Sequence, residues 1–251
     1  MNDIYSFKPP YFIAHRGASA FAPENTLSAF KLAVAHGANA VELDAKLSND
    51  GRVVVIHDQT LKRTAGVDGR VRDFLLSDLK TLDVGSFFDS RFSGEMIPTL
   101  DEVFEEVGRK LLVNVEITNY ETPNDLLPEK IAEIVKSHGV QDRVHFSSFN
   151  PNNLIRIKKL LPECPIGLLT PVNLSGLLSA CRVNQSVEPE FMHPFHLLTL
   201  PGCVKMQHNH NRRVHVWTVN KPKDILRMLK MQVDGIITDN PKLARELALN
   251  K

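Results

Sequence analysis

Short apolar runs alternate with amphipathic helical patterns almost from one end of this chain to the other, and that alternation restricts its fold more than any other feature. Runs at 11–14, 40–47, 111–117, 143–148, 166–170, 187–192, 213–219 and 235–238 read as strands. Between and after them, 26–36, 100–107, 128–137, 152–161, 174–181, 204–210, 222–231 and 241–249 carry helical spacing. A further run at 53–57 continues the second strand or pairs with it across the turn Asn49-Asp50-Gly51. Continuously apolar strands such as 111–115 suit a parallel sheet buried on both faces. The length of 251 residues alone leaves two small domains open. About eight strand–helix units in roughly 250 residues instead predict one α/β domain over 1–251, a TIM (β/α)8 barrel. Residues 59–98, rich in Gly, Asp, Ser and Arg, break the pattern and are expected to form a small insertion after strand 2.

Composition narrows the function classes. The net charge of +1 gives no global field for nucleic acid or an acidic membrane, so any anion must be recognised locally. Cys164, Cys181 and Cys203 are odd in number and form no CxxC, which argues against a disulfide framework or thiolate zinc and for a reducing compartment. Residues 1–10 lack the basic and apolar regions of a signal peptide. No apolar run nears the ~20 residues that span a bilayer. A cytoplasmic protein without stable membrane association is expected; oligomeric state cannot be read.

Active sites of such barrels lie at the C-terminal ends of the strands, and polar residues gather there. His15 and Arg16 end the first strand, Glu42 and Asp44 lie in the second, His57 ends its extension, Glu116 lies near the end of the third, and Trp217, Asn220 and Asp239 close the last two. Glu42 and Asp44 are two apart and so share a face. In a buried strand they would repel unless a divalent cation joined them, with Glu116 as third oxygen ligand; all-oxygen ligation suits Mg²⁺ or Ca²⁺. A half-exposed strand of alternating charges is the plainer alternative for Glu42 to Lys46. Two histidines near pKa ~6.5 can hold opposite protonation states, as hydrolysis of a phosphodiester requires. His15 and His57 fit that task, although a histidine at a strand end is commonly structural. Arg16 matches phosphate geometry or else bridges a carboxylate at the barrel mouth. Glu24-Asn25 reads equally as a helix cap or as part of the site, Gly17 as a tight turn or a plain loop residue. Trp217 is an apolar wall or a core residue. Residues 205–215, with three histidines and two arginines, look like a metal or nucleic-acid patch but fit a solvated helix end better.

Ala14-His15-Arg16-Gly17-Ala18 with Pro23-Glu24-Asn25-Thr26 resembles the signature of the glycerophosphodiester phosphodiesterase family, as bacterial cytosolic members carry it. So do Glu42-Leu43-Asp44, His57-Asp58 with Leu61-Lys62-Arg63-Thr64, Ile97-Pro98-Thr99-Leu100, Asn114-Val115-Glu116-Ile117, Val216-Trp217-Thr218-Val219-Asn220 and Asp234-Gly235-Ile236-Ile237-Thr238-Asp239-Asn240-Pro241. The resemblance runs from about 11 to 248 and is weakest over 182–195. It implies a TIM barrel with an insertion after strand 2. It implies one divalent metal, Ca²⁺ or Mg²⁺, on Glu42, Asp44 and Glu116, with His15 and His57 as general acid and base and Arg16 at the phosphate. The implied reaction converts a glycerophosphodiester to an alcohol and sn-glycerol 3-phosphate. By analogy with related phospholipases it passes through a cyclic phosphate. Many relatives carry lysine where this chain has Thr118, so Thr118 is expected to meet the phosphate without charge, with Arg63 of the insertion as one compensating cation. Trp217 is expected beside the substrate. A lysophospholipase D would need an acyl groove that no segment supplies. A non-catalytic phosphodiester-binding protein would be expected to lack one of the two histidines.

Overall fold

The computed structural model describes residues 8–180 and 187–250. Strands form where β-branched and aliphatic residues run together: β1 (Tyr11–His15), β2 (Ala40–Leu47), β3 (Val53–Val55), β4 (Leu112–Ile117), β5 (Val144–Ser148), β6 (Ile166–Leu169), β7 (Phe191–His193), β8 (Arg213–Val216) and β9 (Gly235–Thr238). The helices are α1 (Leu27–Ala35), α2 (Lys62–Ala65), α3 (Leu76–Leu79), α4 (Leu100–Val107), α5 (Leu127–His138), α6 (Pro151–Leu160), α7 (Leu174–Ala180), α8 (Pro201–Asn209), α9 (Pro222–Lys230) and α10 (Pro241–Leu249). Among the described residues, eight parallel strands close on themselves, because β1 pairs with both β2 and β9. β3 adds antiparallel to the far end of β2. The expected TIM barrel is what forms.

Proline begins α6, α8, α9 and α10, where its missing N–H would lack a partner in any case. Period-two alternation then divides each strand between two cores. Outward residues such as Val41, Leu43, Val113, Val115 and Phe146 pack against the helices in the large cluster. Inward residues Tyr11, Ile13, Ala40, Leu112, Phe191 and Ile237 fill the barrel near the N-terminal ends of the strands. Further along, the same inward rows turn polar. The register sets His15 beside Glu42, Asp44 beside Glu116, and Glu116 beside Ser147.

After β3, residues 59–98 contain α2, α3 and two single 3₁₀ turns. Leu61, Val71, Leu79, Val84 and Ile97 gather there on Val54 and Ile56 as a separate small core. Thr99 then restarts the barrel alternation through a reciprocal cap, its hydroxyl accepting from the Glu102 N–H and the Glu102 carboxylate accepting from the Thr99 N–H.

Three elements differ from the sequence reading. The strand expected over 187–192 shrinks to Phe191–His193, because Pro189 has no N–H for a ladder. The helix expected from 204 starts one turn earlier at Pro201. The strand expected over 213–219 stops at Val216, and only a single bridge, Phe195 to Trp217, extends it. Cys181, expected to end α7, lies outside the described residues. Cys203 is disulfide-bonded, against the sequence reading that disfavoured a disulfide framework, while Cys164 is a buried free thiol. No helix among the described residues is long and apolar enough to cross a membrane.

Candidate active site

The polar ends of the inward rows open into a pocket lined by His15, Arg16, Glu42, His57, Asn114, Glu116, Ser147, His193 and Trp217, among others. The side chains come from inward positions along the strands or from the turns that follow them. The first such turn is tight. Gly17 has φ +87°, and a Cβ there would stand 2.6 Å from the Ala29 backbone of α1, so no larger residue fits that crossing. Arg16 itself sits at φ 56°, a left-handed conformation costing about 1–3 kcal/mol in a non-glycine residue. Its N–H reaches both the Glu42 carbonyl at 2.9 Å and the Glu42 carboxylate at 3.1 Å, which holds the strained residue in place.

Glu42, Asp44 and Glu116 bring their carboxylate oxygens within 4.8 Å of one another. Burial and the neighbouring Asp44 and Glu116 charges push Glu42 well above the usual carboxylate range. Burial and the Asp44 charge raise Glu116 to about 8. Burial would raise Asp44 too, but the Arg16 and His57 charges and the Asn25 amide outweigh it and lower it. Three acids that resist shared ionisation, with oxygen donors only, fit a hard divalent cation such as Ca²⁺ or Mg²⁺. The Tyr120 hydroxyl donates to Glu116 at 2.7 Å and fixes that carboxylate from the outer side.

His15 and His57 are arranged alike. His15 Nδ1 lies 2.7 Å from Asp239, and His57 Nδ1 lies 2.8 Å from Asp58. Both aspartates are ionised. Burial raises Asp58, but hydrogen bonds from Arg63 and His57 prevail and hold it at about 2. Burial likewise opposes, and the His15 and Asn220 contacts overcome it, in lowering Asp239. An ionised partner places the ring proton on Nδ1 and leaves Nε2 for the pocket side.

Glu24 and Asn25 belong to this constellation; the cap of α1 falls to Thr26. The buried Asn25 amide donates to Asp44 at 2.8 Å. Glu24 receives Arg16 at 2.9 Å and both terminal nitrogens of Arg63, at 2.8 and 2.7 Å. Arg63 also grips Asp58 at 2.7 Å. A continuous ionic relay thus runs His57–Asp58–Arg63–Glu24–Arg16–Asp44. All three Arg63 nitrogens are engaged in it and Arg63 does not line the pocket, so it is not placed as the compensating cation expected.

Thr118 departs from expectation. Its single hydroxyl proton goes to the Ala45 carbonyl at 2.7 Å, and its oxygen accepts from Lys46 Nζ at 2.7 Å. In this arrangement its hydroxyl proton is taken and none is offered to a phosphate oxygen, and Thr118 does not line the pocket. The cation at this place is Lys46, two residues beyond Asp44 on the same strand face. Burial lowers the Lys46 pKa, against the Asp44, Glu116 and Asp58 charges that raise it. The sequence shows Lys46 only as part of an alternating stripe; continuing the period of two from Glu42 and Asp44 would have found it. Trp217 lines the pocket, its indole N–H tied to the His193 carbonyl at 2.7 Å and its ring edge-on to Phe149 at 5.6 Å. Residues 205–215 form no single patch: His208 pairs with Asp234 and His210 with the Met206 carbonyl at the end of α8, as the helix-end reading expects, while His215 points into the barrel.

The sequence model of the glycerophosphoryl diester phosphodiesterase family matches residues 15–243. A glycerophosphodiester phosphodiesterase of Caldanaerobacter subterraneus subsp. tengcongensis is 42% identical over 92% of this chain and 94% of its own. The solved structure of an Oleispira antarctica phosphodiesterase in complex with the product sn-glycerol-3-phosphate superposes with a TM-score of 0.88 at 31% identity, covering 97% of this chain and 98% of that one. A glycerophosphodiester phosphodiesterase of Agrobacterium tumefaciens superposes with a TM-score of 0.82 at 28% identity, covering 95% and 100%.

Proposed function

Since the chain belongs to the glycerophosphoryl diester phosphodiesterase family, it is a hydrolase of glycerophosphodiesters, and we propose that it works by a histidine pair beside one hard divalent cation. In this reading Glu42, Asp44 and Glu116 hold Ca²⁺ or Mg²⁺, and the products are an alcohol and sn-glycerol 3-phosphate. The observation that carries the proposal is the matched pair of dyads, His15–Asp239 and His57–Asp58, each leaving Nε2 available on the pocket side of the carboxylate cluster. When bound, the cation supplies charge stabilisation to the phosphoryl oxygens.

The chain's own residues do the rest. One imidazole takes the proton of the attacking oxygen, and the other gives a proton to the departing alkoxide. Asp58 and Asp239, both ionised, stabilise each ring while it is charged. Arg16 holds a non-bridging phosphate oxygen through its planar guanidinium, kept at the mouth by Glu24. Trp217 and Phe149 offer an apolar wall to the carbon atoms of the glycerol moiety. The Oleispira relative, bound to sn-glycerol-3-phosphate, supports that substrate class.

The purified protein with Ca²⁺ or Mg²⁺ should release glycerol 3-phosphate from glycerophosphocholine, read with a coupled dehydrogenase. His15→Ala and His57→Ala should each lower kcat by about 10²–10⁴-fold. Folded protein that releases nothing from any glycerophosphodiester, or variants that both keep full kcat, would remove this mechanism.

A further inference from the structure

Below the carboxylates, three more histidines meet inside the barrel. His145 comes from β5, His193 from β7 and His215 from β8, each on an inward position of its strand. They are 1%, 0% and 2% exposed. One ring nitrogen of each lies within 4.8 Å of the others, and the ring centroids stand 5.8, 5.9 and 5.3 Å apart. None of the six ring nitrogens has a hydrogen-bond partner in the protein. Leaving a buried polar group unsatisfied costs about 1–3 kcal/mol, so six in one small volume call for a ligand.

The surrounding strands make room for these rings. A Cβ on Gly167 would stand 2.5 Å from His193 Nε2, and one on Gly235 would stand 2.6 Å from His215 Cδ2. Phe191 lies beneath as an apolar floor, its ring 5.0 Å from His145 and 4.6 Å from His215. On the other side the cluster meets the pocket: His193, Ser147 and Asn114 all line it, and the Ser147 hydroxyl and Asn114 amide are also without protein partners. An ion thus has a route in from the mouth and a polar fourth side.

We propose that His145, His193 and His215 form a second metal site, selective for a borderline transition ion of the Zn²⁺ class and separate from the carboxylate site for the hard cation. Three neutral imidazoles suit Zn²⁺, Co²⁺ or Ni²⁺ and disfavour Ca²⁺ and Mg²⁺. Burial keeps all three rings uncharged, with His193 lowered to about 3, which is the protonation state a metal ligand needs. At a Zn–N distance of about 2.0–2.1 Å, tetrahedral nitrogens lie about 3.3 Å apart. From separations of at most 4.8 Å, each ring need shift inward by no more than about 1 Å to bind, and bound metal ties β5, β7 and β8 together.

The test uses the full-length Glu116→Gln protein after chelator treatment, so the carboxylate site is disabled and failure there is read separately. Titration with Co²⁺ alone should show uptake of one ion per chain with visible d–d absorption, unchanged by excess Ca²⁺, and a raised Tm. X-ray absorption on the Zn²⁺-loaded protein should report three imidazole ligands. His145→Gln and His215→Gln should each weaken binding by more than the about 10–100-fold that outer-shell changes cost. Absence of uptake by the folded Glu116→Gln protein overturns the proposal, as does ligation by oxygen alone. Undiminished affinity in folded His145→Gln and His215→Gln protein overturns it too. Should those variants not fold, the absorption spectrum of the Glu116→Gln protein decides by itself.

Discussion

Burial and the Asp44 charge leave Glu116 with a proton at neutral pH, since its carboxyl is raised to about 8. Ligating a cation means releasing that proton. Affinity for Ca²⁺ or Mg²⁺ should therefore climb as pH rises through about 8, because Glu116, and the raised Glu42 beside it, must shed their protons to ligate. Calorimetric titration between about pH 6 and about pH 9 checks this; a flat affinity would show that Glu116 is ionised before the cation arrives. At this scale the sequence was informative wherever residues of one strand act together. His15-Arg16, Glu42 with Asp44 and His57-Asp58 each announce their chemistry within a few positions. The histidine cluster does not, because its members lie on three strands and no local spacing links them. In the sequence His215 reads as part of a solvated helix end and loop. Only the alternation within Arg213-Val214-His215-Val216, with Gly235 on the flanking β9, hints that the ring points inward. Thr118 misled for a related reason: its partner Lys46 is on the neighbouring strand, 72 residues away.

Among the elements, α4 depends visibly on its first turn. Thr99 and Glu102 satisfy each other's backbone N–H groups at 3.2 and 2.7 Å. Thr99→Ala should cost about 1 kcal/mol, within a range of about 0.5–2. Urea unfolding should show a lower midpoint with an unchanged slope, and kcat should stay as it was, since Thr99 is outside the pocket. Strand and helix positions were legible because aliphatic runs and prolines mark them. β7 is weakly marked, because Glu188, Pro189 and Glu190 break the run and leave only Phe191 and Met192 as an apolar pair. The piece from 59 to 98 was recognisable as something outside the barrel repeat, yet its inner arrangement was not. Its helices have only four residues each, too short for a period to declare itself.

Across the whole molecule, the ionic relay from His57 to Asp44 joins the 59–98 segment to the barrel mouth. That segment has its own small core and many exposed backbone groups, so in the free protein its amides should exchange with solvent sooner than those of β2, β4 and β5. Added Ca²⁺ and sn-glycerol 3-phosphate should slow exchange around 57–65 and 16–26 together, because Arg63 and Glu24 bridge the two. Hydrogen-exchange mass spectrometry reads this directly; slowing in one stretch without the other would show that the relay does not couple them.

The seam of the barrel has one more consequence. β1 is completed by β9, and His15 meets Asp239 across 224 residues of sequence. A ribosome delivers the first of these strands long before the last. Until β9 emerges, β1 and β8 face each other across a gap, each with an unpaired edge open to other chains. The nascent polypeptide also lacks one of its two histidine–aspartate dyads throughout that interval. On the proposed mechanism, hydrolytic competence therefore waits until β9 has emerged and closed the barrel.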